Sequence, residues 1–216
     1  MTSHPTPILT VDVIALSLRK GDMCYGVIHR AEPPFQGGWA LPGGYVHTEE
    51  DADLTATALR VLLDKAGISD CLCEQLGTFS GRDRDPRGWS ATVVYYAVLR
   101  EEVPTEQLTW VPVANPLPLA FDHNELLHAA LARLRAKGSW STLPAFFLPR
   151  SFTLLELRRI YELILGINMN DSAFRRKIEE LDLIEPVPGQ KSKASARPAQ
   201  LYRLKHQHLC AFDRHI

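Results

Sequence analysis

The sequence is poor in the features that mark specialised chains. It has four cysteines, Cys24, Cys71, Cys73 and Cys210. They form no CxxC pair and no disulfide framework, which points to a reducing, cytoplasmic compartment. Cys71-Leu-Cys73 has the wrong spacing for a zinc site and reads as structural. No run of about eighteen apolar residues is present, so no membrane-spanning helix is expected. The start of the chain is polar and the apolar run Ile8–Leu18 is broken by Asp12, so no signal peptide is expected. There is neither a GxGxxG nor a Walker A sequence. A charge excess is also missing. The 24 Lys+Arg and 25 Asp+Glu leave −1, which at face value argues against a nucleic-acid partner. What remains is ordinary: 216 residues, 45% hydrophobic and 23% charged, typical of a globular chain of one or two domains.

The neutral sum conceals a split. Residues 1–150 carry −4 and residues 151–216 carry +3, so two bodies with different partners are expected. The stretch Ala136–Pro144 holds turn formers, which places a connector at about 139–151 between domains 1–140 and 151–216. The first domain reads as mixed α/β. Strands are expected over Ile8–Leu18, Met23–His29, Gly88–Leu99 and Leu108–Val113. Helices are expected from Asp53 to Ala66, closed by Gly67, and over Asn124–Arg135. The second domain opens on a capping box, Thr153 with Glu156, and Phe152 is placed to staple onto Leu157. That helix ends at Gly166. A second follows Asn170 or Asp171, and strands near Leu183–Val187 and Gln200–Leu204 bracket a basic loop. Helix, turn, helix and ribbon is the order of a winged helix-turn-helix.

Two stretches carry chemistry in the first domain. Leu41-Pro-Gly-Gly-Tyr-Val-His-Thr-Glu-Glu50 and Leu59-Arg-Val-Leu-Leu-Asp-Lys-Ala-Gly-Ile68 together resemble a Nudix box. Gly44 and Glu50 match its first half, and Arg60, Leu62, Gly67 and Ile68 its second, with a spacer two residues longer than usual. The resemblance implies a Nudix α/β/α sandwich with a mixed sheet. Nudix hydrolases hold divalent cations on helix carboxylates, which activate water against a pyrophosphate. Here the three helix positions are Val61, Asp64 and Lys65. One shortened carboxylate survives and a cation stands at the third. The expectation is a pocket that binds a diphosphate without hydrolysing it, with no metal and no cofactor. The alternative is a working ADP-ribose pyrophosphatase with metal ligands elsewhere and an accessory C-terminal domain. The loop Arg82-Asp-Arg-Asp-Pro-Arg-Gly-Trp89 supplies Arg82, Arg84 and Arg87 as phosphate ligands, and Trp39 is a candidate to stack a nucleobase. The plainer account pairs these arginines with Asp83 and Asp85 and packs Trp39 in the core. His123 either lines the pocket or caps the next helix.

In the second domain, Phe174, Ile178 and Leu181 face inward, which turns Ser172 and Arg176 outward with Arg175 and Lys177 beside them. Lys191, Lys193 and Arg197 sit in the loop between the strands, with no acid among 189–197. These seven residues are the expected DNA contacts. His206, His208 and Cys210 look ligand-like, but a tail strand with alternating exposed polar residues is the preferred account.

The combination resembles the NrtR family, Nudix-related transcriptional regulators of NAD metabolism in bacteria. Trp39-Ala-Leu-Pro-Gly-Gly44, Arg84-Asp-Pro-Arg-Gly88, Leu119-Ala-Phe-Asp-His123, Phe152-Thr-Leu-Leu-Glu-Leu157, Phe174-Arg-Arg-Lys-Ile178 and Arg197-Pro-Ala-Gln-Leu-Tyr-Arg203 carry the likeness. It implies a cytoplasmic homodimeric repressor on a palindromic double-stranded DNA operator. It also implies release of that DNA when ADP-ribose or a related NAD metabolite binds the Nudix domain. Ala196 stands where the family often has Gly before Arg-Pro-Ala.

Overall fold

A computed structural model describes residues 6–100, 106–192, 198–213 and 216. Its contacts divide the chain into two compact units. One runs to Ala130, and the other starts at Leu131 and also takes in Arg100. The architecture is α/β, a mixed sheet with helices followed by a small winged helix.

The first unit is built on one sheet. Strand β1 (Ile8–Arg19) pairs antiparallel with β2 (Asp22–His29) and parallel with β6 (Ser90–Leu99), ten residues from Ile8↔Ser90 to Ser17↔Leu99. The short strands β3 (Trp39–Ala40) and β4 (Gly43–Tyr45) pair with β2 and β1. Strand β5 (Leu72–Gly81) lies against β6, and β7 (Thr109–Pro112) against β2. Because β1 is interior to this sheet, Val11 and Val13–Leu16 are all fully buried. Both faces therefore carry apolar side chains, not the single face that simple alternation predicts. Helix α1 (Leu54–Ala66) covers one face, where Ala58, Val61, Leu62 and Ala66 join Val11, Val13 and Ala15 in one cluster. Its ends follow the expectation. The Asp53 carboxylate accepts from the Ala56 N–H, and Gly67 closes the helix at φ 66°. Strand β5 was not expected. A register shift between Gln75 and Gly77 breaks the period-2 pattern, and Glu, Gln and Gly are poor strand formers. Cys71 and Cys73 pack on the core cluster, and burial pushes their thiols up to about 11 and about 12.

Helix α2 spans His123–Gly138. The second unit continues through a 3-10 turn, Leu143–Phe147, whose five residues are all buried. Within the connector expected at 139–151, residues 141–148 are thus buried, while Trp140 and Arg150 are exposed. Ser141 and Thr142 hold the turn there. Tyr161 donates to the Ser141 carbonyl at 2.9 Å, and the Cys210 N–H donates to the Thr142 hydroxyl at 2.9 Å. Helix α3 (Leu154–Leu165) starts on the expected capping box with both bonds formed and ends at Gly166. Phe152 and Leu157 are both buried. Helix α4 (Asp171–Leu181) is capped by the Asn170 side chain, which accepts from the Ala173 N–H. Arg158 on α3 holds the turn that leads into α4, donating to the Met169 carbonyl at 3.0 Å. Strands β8 (Ile184–Ser192) and β9 (Ala199–Leu204) form the ribbon, and Phe152 adds a third rung by exchanging both backbone bonds with Tyr202.

Candidate functional site

A cleft of about 470 Å³ opens in the first unit where β1, β4, α1, the 84–87 loop and the start of α2 meet. Its floor is a set of buried charges. Arg84, 9% exposed, donates to Asp122 through Nε and Nη2 at 3.0 and 3.1 Å and to the Ser90 hydroxyl at 3.1 Å. Asp12 lies 3.7 Å from the same guanidinium and 3.9 Å from His123 Nε2. The Leu41 N–H donates to His123 Nδ1 at 3.0 Å, which leaves the ring proton on Nε2, facing Asp12. Burial pushes the His123 imidazole below its ordinary value, against the opposing pull of Asp12 and Asp122. His123 is therefore a neutral member of the cleft and not merely a helix cap. Gly43 makes room for this arrangement, since a Cβ there would stand 2.0 Å from Asp12 Oδ1.

The backbone explains why these parts meet. Trp39 and Leu119 form a parallel bridge, and the Ala120 N–H donates to the Trp39 carbonyl at 2.8 Å. That fixes the segment that delivers Phe121, Asp122 and His123. Phe121 sits at φ 57° and packs edge-on against Phe35, with the Arg30 guanidinium 4.8 Å over its ring.

The expected residues divide. Arg60, Val61, Asp64, Lys65, Arg84 and Arg87 all line the cleft, whereas Trp39 and Arg82 are not among its lining residues. Trp39 packs edge-on against His29 instead. Arg87 chelates Asp85 through Nε and Nη2 at 3.0 and 2.7 Å and donates to the Tyr45 hydroxyl at 2.6 Å. That bonding holds the Asp85 carboxyl below the usual carboxylate range. Glu50, the motif position, stands apart from Arg60. Its carboxylate is exposed and meets His47, while the carboxylate under Arg60 is Asp51, bound by Nε and Nη2 at 2.8 and 2.7 Å. Thr57 and the His47 N–H also donate to Asp51, and Arg60 first of all keeps it well below its ordinary value. Sequence reasoning missed Asp12, Arg30, Tyr45 and Phe121. Asp12 offered one signal, a charged residue interrupting an otherwise apolar strand.

A divalent metal does not fit the helix face. Val61 is buried and would touch a Cβ on Gly44 at 3.2 Å. Asp64 is exposed and lies 3.8 Å from Arg60, and Lys65 adds a cation. Among the described residues no group of three or more His, Cys, Asp or Glu is placed to hold an ion.

The second unit presents a different surface. On α4, Phe174 and Ile178 are buried, Ser172, Arg175 and Arg176 are exposed, and Lys177 is half-buried. Arg176 is 77% exposed and its nearest acid is Glu180 at 3.9 Å. Lys191 pairs with Gln200 in the ribbon. Lys193 and Arg197 lie outside the described residues. At the tail, the His206 and His208 rings stand 5.2 Å apart, and Cys210 Sγ donates to the His208 carbonyl.

Residues 144–204 match the NrtR DNA-binding winged helix domain. Over 95% of its length the chain is 42% identical to the ADPR responsive transcriptional repressor NtrR of Acinetobacter baylyi, covering 85% of that protein. It superposes on Shewanella oneidensis NrtR complexed with a 27mer DNA with a TM-score of 0.87 and 35% identity, covering 96% of this chain and 99% of that one. The Nudix domain of Shewanella oneidensis NrtR complexed with ADP ribose matches 61% of this chain and 90% of its own, with a TM-score of 0.55 and 34% identity. On this likeness along nearly its whole length, the chain belongs to the NrtR family.

Proposed function

We propose that this protein is a cytoplasmic, homodimeric transcriptional repressor of NAD-biosynthesis or salvage genes. ADP-ribose, or a related NAD metabolite, is the effector, and its binding releases the operator. The carrying observation is the pairing, in one chain, of an arginine-lined cleft with a helix that exposes Arg175 and Arg176 on its outer face. One relative supports both halves: Shewanella oneidensis NrtR was crystallised with a 27mer DNA, and its Nudix domain with ADP ribose.

The unit that runs to Ala130 forms the effector domain and the unit that starts at Leu131 the reader. In the cleft, Arg84 and Arg87 are held by Asp122 and Asp85 in fixed orientations, so they offer donors to a diphosphate with little ordering cost. Hydrolysis is not expected, because Val61 and Lys65 supply no metal ligand. A regulator that destroyed its effector would erase its own signal. Ser172, Arg175, Arg176 and Lys177 face the major groove, and the wing cations Lys191, Lys193 and Arg197 meet phosphate. Two copies on a palindrome place two such helices about one helical turn apart. An effector releases DNA only by binding better to an arrangement that misplaces those helices.

Two assays test the reading on the full-length chain. Operator DNA selected from a random pool, followed by fluorescence anisotropy, is expected to bind and to be released by saturating ADP-ribose. Incubation of ADP-ribose with the protein and Mg²⁺ is expected to leave it intact. Robust turnover would instead establish the pyrophosphatase.

A further inference from the structure

Building on that reading of the effector, we infer that Arg30 and Lys65 stand in for a divalent cation, so that the cleft holds a pyrophosphate through side-chain charge alone. The charges of the cleft lead to this. Three of its arginines are paired with carboxylates, which fix their donors and offset their charge: Arg60 with Asp51, Arg84 with Asp122 and Asp12, and Arg87 with Asp85. They shape the site but add little net positive charge. Arg30 and Lys65 differ. The Arg30 guanidinium donates to the carbonyls of Pro34 and Glu32 at 2.7 and 3.3 Å and covers Phe121. None of these partners is anionic, so its charge is retained. Lys65 is exposed on the last turn of α1 and has no ion pair among the described residues.

The two cations also share a location. Both border the main cleft and an adjoining recess of about 460 Å³. Two acids, Glu32 and Asp64, border both hollows with them, and Asp64 leans on Arg60. A lysine binds phosphate as a point charge and an arginine as a planar fork. Together they bring the two positive charges that a divalent ion brings in a hydrolase. Lys65 does so from a helix position where a hydrolase keeps a metal-binding carboxylate. The ion's electrostatic role is thereby kept while its water-activating role is lost. The Nudix hydrolase pattern is inverted here: the ligand is recognised by the residue that excludes the metal.

Calorimetric titration of the full-length protein with ADP-ribose in EDTA and again in Mg²⁺ tests this. The expected result is the same affinity in both buffers. Lys65→Met is expected to weaken binding in EDTA by about tenfold or more, as loss of a charge-assisted contact does, with an unchanged melting temperature because the side chain is exposed. Lys65→Arg is expected to retain most of the affinity. Lys65→Glu is expected to bind only when Mg²⁺ is added. Loss of wild-type binding in EDTA, or wild-type affinity in Lys65→Met, overturns the inference while the effector assignment stands. No binding in either buffer overturns both.

Discussion

The cations of the two units are kept in opposite ways. In the cleft, Arg84 is 9% exposed and held by two aspartates and a serine, whereas Arg176 on α4 is 77% exposed beside one glutamate at 3.9 Å. The contrast follows from what each surface is suited to meet. A small ligand of fixed shape is bound best by groups already locked in place, because their ordering cost is met on folding. A DNA backbone is a dense line of charge, and free surface cations gain from displacing its counterions. Net charge alone hides both, since the locked arginines are cancelled by their partners and the free ones by acids elsewhere.

The sharpest way to break this comparison is Arg84→Met. It strands Asp12 and Asp122 in the floor and is expected to destabilise the chain by about 3–5 kcal/mol in urea unfolding. Gly43→Ala comes next. Its Cβ would collide with Asp12, costing about 1–3 kcal/mol and abolishing effector binding in calorimetry, while operator affinity without effector is retained. Arg176→Ala should behave oppositely. Operator affinity by anisotropy is expected to fall by about 1–3 kcal/mol, with unfolding stability within about 0.5 kcal/mol of wild type and an unchanged mass by light scattering.

The smallest expected effect is a pH dependence. The His123 pKa is lowered in the folded chain, so below the ordinary value of about 6.5 the unfolded chain takes up a proton that the folded chain refuses. Stability is then fully present above that pH and declines as pH falls through it. His123→Gln, which keeps an acceptor for the Leu41 N–H, is expected to flatten this slope between pH 5 and 7 in thermal melts.

The legible parts of the sequence were local. Asp53, Thr153 with Glu156, Gly67 and Gly166 mark helix ends through contacts within five residues, and these ends lie where the patterns put them. The cleft is long-range. Arg84 meets Asp122 across 38 positions and His123 meets Leu41 across 82, so the 84–87 loop read as an arginine cluster or as local pairs with Asp83 and Asp85, and only the local Arg87–Asp85 pair was within reach of that reading. Motif spacing pointed to Glu50 because it counts positions, whereas the carboxylate that the loop brings to Arg60 is its neighbour Asp51. The segment 143–147 looked like a connector because Ser, Thr and Pro surround it. Its two phenylalanines and its leucine carried the opposite signal, and burial decided in their favour.

The most direct test of the account is an anisotropy titration of a selected operator with the full-length protein, repeated at saturating ADP-ribose in EDTA. The account predicts tight, salt-sensitive binding that ADP-ribose weakens by tenfold or more, about 1.4 kcal/mol of coupling. An operator affinity that saturating ADP-ribose leaves unchanged would contradict it.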